Sequence, residues 1–206
     1  MDVRELDRRA VRASVDMVAK VTTEDLGRPT PCAGWTLADL LAHMTAQHRG
    51  FAAAAEGGGA DLAVWQAEPL GAGAVSAYSG AAERVVTAFA EDGVLERAFA
   101  LPEFGRGLTF PAAQAIGFHL IDYLVHGWDV AQSLGVEFIA EPELVEAAWP
   151  IAQAIPDDER RRRPGAAFQP SLAVPEDATR FDLILAMLGR SPRGHGVTVP
   201  QTWPPA

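Results

Sequence analysis

His119-Leu120-Ile121-Asp122-Tyr123-Leu124-Val125-His126-Gly127-Trp128-Asp129 sets three potential metal ligands, His119, Asp122 and His126, into a largely apolar run. On a helix, at about 100° per residue, Asp122 lies about 60° back from His119 and His126 about 20° back. All three therefore share one narrow stripe. A stripe with such apolar neighbours faces a core. A core takes in a carboxylate and imidazoles only where something offsets their desolvation. A divalent metal ion would do so. Asp122 and His126, at i and i+4, project one turn apart and can reach a single ion. His119 and His126 are two turns apart, about 10 Å by helix rise, too far for both to ligate one ion on an unbent helix. His119 is then a supporting or alternative ligand.

The rest of the chain reads as helices joined by modest loops. Leu6, Val11, Val15, Val18 and Val21 give residues 3–25 a helical spacing, ended by Gly27, Pro29 and Pro31. Thr36 and Asp39 form a capping box for a second helix, which runs to about Glu56 and stops at Gly57-Gly58-Gly59. Residues 57–73 read as a loop, and a third helix covers roughly 74–92. Residues 94–110 hold either a short hairpin or an irregular crossover. Thr109 is expected to cap the fourth helix, with Pro111 in its first turn, and Gly135 to close it. Glu141 to about Ile155 reads as a fifth helix, and Asp157 to Arg163 as a charged, solvated surface segment. Phe181 to Gly189 is a short apolar helix, and residues 191–206 a tail that carries an exposed His195. The fold class expected is all-α, a bundle of about four main helices over residues 1–164, with a C-terminal extension, 165–206, packing on it.

Composition narrows the function. The chain has 206 residues, 49% of them hydrophobic, enough for a sizeable core. A net charge of −10 argues against a nucleic-acid partner. Cys32 is the single cysteine, so no internal disulfide can form, as suits a reducing cytoplasm. The charged N-terminus is unlike a secretory signal, and no run of about 18 apolar residues predicts a membrane span. The expected protein is soluble and cytoplasmic.

The Asp122–His126 pair needs a third ligand, and the second helix offers His43 and His48. Five residues apart, they lie about 140° from each other and cannot both face one site. Leu37, Leu41, Met44, His48 and Phe51 form one apolar stripe, which favours His48; His43 shares the neighbouring face with Leu40 and Gln47. The competing reading is that these are histidines satisfied by hydrogen bonds, with no metal. One aspartate and two histidines suit Zn²⁺, and also Ni²⁺, Fe²⁺ or Mn²⁺. Three protein ligands leave open positions, as in catalytic rather than structural sites. Cys32 reads either as a thiol near the site or as a small buried residue of the turn before the second helix. Trp35, Trp128 and Asp129 could line a pocket; Trp35 reads equally as a hydrophobic plug at the helix start, and Asp129 either as orienting a ligand histidine or as capping a neighbouring helix. Tyr123 is turned about 100° from Asp122.

Thr30-Pro31-Cys32-Ala33-Gly34-Trp35-Thr36-Leu37-Ala38-Asp39-Leu40-Leu41-Ala42-His43 resembles a block of the metal-binding domains of mycothiol-dependent maleylpyruvate isomerases, within the DinB-like four-helix superfamily. His126-Gly127-Trp128-Asp129-Val130-Ala131 is similar to their second block, and Phe181 to Pro192 to the close of a single-domain actinobacterial subgroup. The resemblance covers about residues 3–192. It implies a DinB-like bundle with His43, Asp122 and His126 as metal ligands, His43 taking precedence over His48. Asp122 stands where the isomerase type has Glu. It also implies a low-molecular-weight thiol such as mycothiol, activated by the metal, a small-molecule substrate, and a homodimer as one available assembly. The expected activity is a thiol-dependent transferase or isomerase. The alternatives are a metal-dependent hydrolase on the same bundle and a non-catalytic metal-binding or interaction module. The isomerases carry a further C-terminal domain, for which residues 165–206 are too few, so maleylpyruvate is not implied as the substrate.

Overall fold

The computed structural model describes residues 1–163 and 168–192. The chain divides into two compact units, Met1–Pro156 and Asp157–Ala206. His195 and the tail from residue 193 lie outside the described residues, as do residues 164–167.

The first unit is a DinB-like four-helix bundle of α1 (Val3–Val18), α2 (Leu37–Ala55), α3 (Ala74–Ala90) and α4 (Ala112–Leu134). Helix α1 packs on α4 and α3, and α2 packs on α3 and α4, which closes the four into a ring. Helix α5 (Pro142–Ala154) lies against α4 and α1. Among the described helices, none is long and apolar enough to cross a membrane.

Local signals explain most boundaries. Thr36 accepts from the N–H of Asp39 and Asp39 reaches back to the N–H of Thr36, the expected capping box at the start of α2. Gly135, at φ 70°, ends α4 in the left-handed conformation that glycine adopts without a Cβ penalty. Gly127 lies where α4 meets α1: an added Cβ there would come within 3.0 Å of the Phe138 ring and 3.4 Å of Ser14 Cα.

Three expectations need correction. Helix α1 stops at Val18 instead of running to residue 25, because Thr22 and Asp25 form a second capping box that starts a 3₁₀ turn, Thr23–Asp25. Thr109 does not cap α4. It belongs to strand β2 (Thr109–Pro111), which pairs antiparallel with β1 (Ala98–Ala100). The region expected to be a hairpin or a crossover is thus a hairpin. Pro111 becomes the residue before the helix, where no side chain caps it. The charged segment 157–163 is also not wholly solvated: Arg161 is buried, donating to the carbonyls of Gln169 and Met187. In that second unit, Thr179 and Asp182 cap α6 (Arg180–Met187), which ends at Gly189.

The bundle interior is apolar at its flanks and polar at its centre. Phe51, Val85, Phe89, Phe99 and Ile116 form one cluster, and Val11, Leu37, Leu41, Met44 and Val130 another. Asp7, Ser14, His48, Tyr78, His119 and Tyr123 are buried between the helices. Asp7 shares the α1 face of Val11, Ser14 and Val18, which carries it inside.

Candidate metal centre

Helices α2 and α4 bring two sets of histidines together. The first is His43 with Asp122 and His126. One ligand atom from each lies within 4.8 Å of the other two. His126 Nε2 is 3.3 Å from Asp122 Oδ1, and the His43 and His126 rings meet edge-on at 5.4 Å. The Asp122 side chain keeps 25% of its surface exposed, so the group opens toward solvent on one side. Trp35, at the start of α2, leans on His43 at 4.9 Å.

Asp129, one turn beyond His126, is wholly buried and accepts from His126 Nδ1 at 2.8 Å. A carboxylate can only accept, so Nδ1 carries a proton, and Nε2 is the nitrogen turned toward Asp122 and His43. Cys32 donates its thiol to the same Asp129 oxygen at 3.3 Å. Cys32, His126 and Asp129 also lie within 4.8 Å of one another, but at hydrogen-bond separations along a chain. Cys32 sits in the turn before α2, partly buried against the core, and meets the group through Asp129.

The electrostatics suit a cation. Burial opposes ionisation of Asp122, yet His126, followed by His43 and His119, holds it down at about 2. Burial likewise opposes charge on His126, but Asp122 and Asp129 raise it well above its ordinary value. Two carboxylates thus flank one imidazole, and the group stays negative even with that imidazole protonated. A divalent ion with nitrogen and oxygen preferences fits such a donor set, and the proton on His126 Nε2 is the charge it would replace.

The second set runs along the core. His119 Nδ1 donates to Asp7 Oδ1 at 2.7 Å, and His119 Nε2 lies 3.1 Å from His48 Nδ1. His48 stacks on Tyr123 at 3.8 Å, nearly parallel, and burial drives it well below its ordinary pKa, so it stays neutral. Its Nε2 has no hydrogen-bond partner among the described residues. The nitrogens are joined head to tail and do not converge. His48 is not brought to the Asp122–His126 pair, and His119 supports the core through Asp7. Tyr123 donates its hydroxyl to the carbonyl of Met44.

Sequence reasoning missed Asp7, whose signal was an acid on an otherwise buried α1 face. It also missed Glu103. This residue sits in a 3₁₀ turn, Pro102–Phe104, between the two strands and accepts from Gln47 Nε2 at 3.1 Å. Nothing in the periodicity of a short loop points to it.

Comparison with known proteins agrees with this architecture. Two uncharacterized proteins of Mycobacterium tuberculosis, from strains CDC 1551 / Oshkosh and H37Rv, are each 31% identical over 198 residues, covering 94% of this chain and all of theirs. The crystal structure of the mycothiol-dependent maleylpyruvate isomerase superposes with a TM-score of 0.63 at 13% identity, covering 93% of this chain and 90% of that one. A histidine-to-alanine mutant of that enzyme superposes with a TM-score of 0.64 at 12% identity, with the same coverage. Nine-tenths of the isomerase chain thus has a counterpart here, so the shortness of residues 165–206 does not by itself set the two apart. The family described as the mycothiol maleylpyruvate isomerase N-terminal domain matches residues 8–131, more than half of the chain and all four bundle helices in whole or in large part. The chain belongs to the mycothiol maleylpyruvate isomerase N-terminal domain family.

Proposed function

We propose that this protein is a metal-dependent enzyme that uses a low-molecular-weight thiol, such as mycothiol, to isomerise a small molecule or to transfer a group onto it. One observation carries the reading: three donor atoms on two helices converge within 4.8 Å, on a side that Asp122 leaves partly open. His43, Asp122 and His126 would hold the ion, with Zn²⁺ the first candidate and Ni²⁺, Fe²⁺ or Mn²⁺ also compatible. A divalent ion there would lower the pKa of a thiol bound beside it and so favour its nucleophilic form.

The chain's own residues supply the rest. Asp129 holds the His126 ring in one tautomer and one orientation, and Cys32 anchors Asp129 in turn. Trp35 covers His43 from the side of the α2 N-terminus. The hairpin turn at Pro102–Phe104 stands beside the α2 face that carries Gln47, one turn after His43. Maleylpyruvate, the substrate of the solved neighbour, is the first compound to try. A cytoplasmic location, small-molecule partners and a homodimer accompany this reading as parts of the same proposal.

Calorimetric titration of zinc-loaded protein with mycothiol tests it. Saturable binding at about one thiol per chain is the expected result. Bound zinc with no thiol binding would reject the thiol-dependent reading and favour a metal-binding module.

A further inference from the structure

The turn before α2 carries a tryptophan that the core does not use. Trp35 is 37% exposed, the one exposed tryptophan among the described residues. By contrast, Trp128 is buried, and Trp65 packs edge-on against Phe51 and donates its indole N–H to the Gly59 carbonyl. The Trp35 backbone is nonetheless fixed. Its N–H donates to the Cys32 carbonyl at 3.0 Å, and its carbonyl accepts from the Thr30 N–H at 3.2 Å and the Thr30 hydroxyl at 3.0 Å. Thr36 pairs with Pro29 in an isolated bridge, and the Leu37 N–H donates to the Arg28 carbonyl. Residues 28–37 thus form a loop tied at several points, and that loop holds the indole outward.

The indole reaches the candidate centre. Residues 35 and 43 are eight apart, about 12 Å along a helix axis. A helical side chain leans toward the N-terminus of its helix, so His43 leans back toward the turn. The two rings meet at 4.9 Å, tilted by 57°. His43 also meets His126 edge-on at 5.4 Å, and its ligand atom lies within 4.8 Å of those of Asp122 and His126. An exposed indole therefore stands one ring away from the donor atoms. It sets apolar surface beside a polar, negative group. That surface is unfavourable against water, and a flat, uncharged, C–H-rich ring laid on it would relieve the exposure.

We propose that Trp35 is a binding residue for the thiol of the proposed reaction, the platform on which the ring portion of that thiol stacks. Mycothiol carries its sulfur on an N-acetylated cysteine joined to a sugar and a cyclitol, neither of them charged. The sulfur belongs at the donor atoms, and the uncharged rings match the indole in shape and polarity. Such a platform selects a ring-bearing thiol over a short one, since both offer the same sulfur. This assignment rests on the thiol-dependent reading.

The test compares two thiols. Zinc-loaded wild type, Trp35→Phe and Trp35→Ala are titrated by calorimetry with mycothiol and with N-acetylcysteine, which has the same thiol head without the rings. Zinc affinity is measured in parallel. Trp35→Ala should bind mycothiol about tenfold or more weakly than wild type, with Trp35→Phe between them. Zinc affinity should be the same in all three. N-acetylcysteine should bind wild type no more tightly than Trp35→Ala. Mycothiol should also shift the tryptophan emission of wild type and leave that of Trp35→Phe unchanged. A mycothiol affinity in Trp35→Ala within about twofold of wild type would overturn the assignment while leaving the thiol reading intact. So would an equal loss for both thiols, or a matching loss of zinc, each of which would make Trp35 a support for His43 alone. No mycothiol binding by wild type would remove both.

Discussion

Helices α2 and α4 each contribute a histidine to two different sets, and the two sets differ in how the nitrogens point. At His43, Asp122 and His126 the donor atoms converge within 4.8 Å on a partly open side. At Asp7, His119 and His48 they are strung head to tail through a closed core. Residue types and helices are nearly the same. An imidazole becomes a candidate ligand when its free lone pair meets others at a common point. It becomes a structural element when that lone pair is used by a neighbour. Asp129 produces the first outcome by occupying His126 Nδ1, and Asp7 produces the second by starting the chain at His119 Nδ1.

The largest effect should follow removal of a converging ligand. His126→Ala or Asp122→Ala should abolish stoichiometric zinc binding, read as metal content after dialysis, with the helical circular dichroism spectrum retained. Full zinc content in either variant would end the distinction between the two sets. Next comes the core chain. Asp7→Ala leaves the His119 Nδ1–H buried without an acceptor and should cost about 3 kcal/mol in denaturant unfolding. Zinc affinity should be unchanged. A loss of zinc equal to that of His126→Ala would merge the two sets into one.

Orientation should count for less than ligation. Asp129→Asn keeps the size of the side chain but loosens the hold on the His126 tautomer, and should weaken zinc binding by about 10–100-fold in a competition titration. An affinity within about twofold of wild type would mean that Asp129 does not orient the ligand.

The smallest effect is a pH slope. An unfolded histidine takes up its proton near 6.5, whereas folded His48 stays neutral well below that. Between those limits the unfolded state binds more protons, so stability falls as pH drops below 6.5, by up to about 1.4 kcal/mol per pH unit. Asp7, raised by burial, acts in the opposite sense as pH drops toward 3.8. The difference between wild type and His48→Gln isolates the histidine. The variant should lose stability less steeply between about pH 6.5 and pH 5, and parallel slopes would contradict the neutral buried His48.

Much of this was legible before any coordinates. Helical periodicity and the Thr36–Asp39 box located the main helices, because both are local. The strand at Thr109 was not legible, since its pairing with Ala100 is set by a hairpin whose strands are three residues each. The Asp122–His126 pair followed from i, i+4 spacing on one helix. The choice between His43 and His48 did not. Both faces of α2 meet neighbours in a bundle, and an apolar stripe identifies burial, which His48 satisfies through Tyr123 and His119. Asp7 and Glu103 lie 112 and 56 residues from the side chains they bond. Neither distance in sequence has a local signature.

The contrast between the two sets is tested most directly by zinc content in His43→Ala and His48→Ala, measured on protein purified without a histidine tag. The converging geometry predicts that His43→Ala loses nearly all of its zinc while His48→Ala keeps about one ion per chain. Zinc retained in His43→Ala and lost in His48→Ala would contradict it.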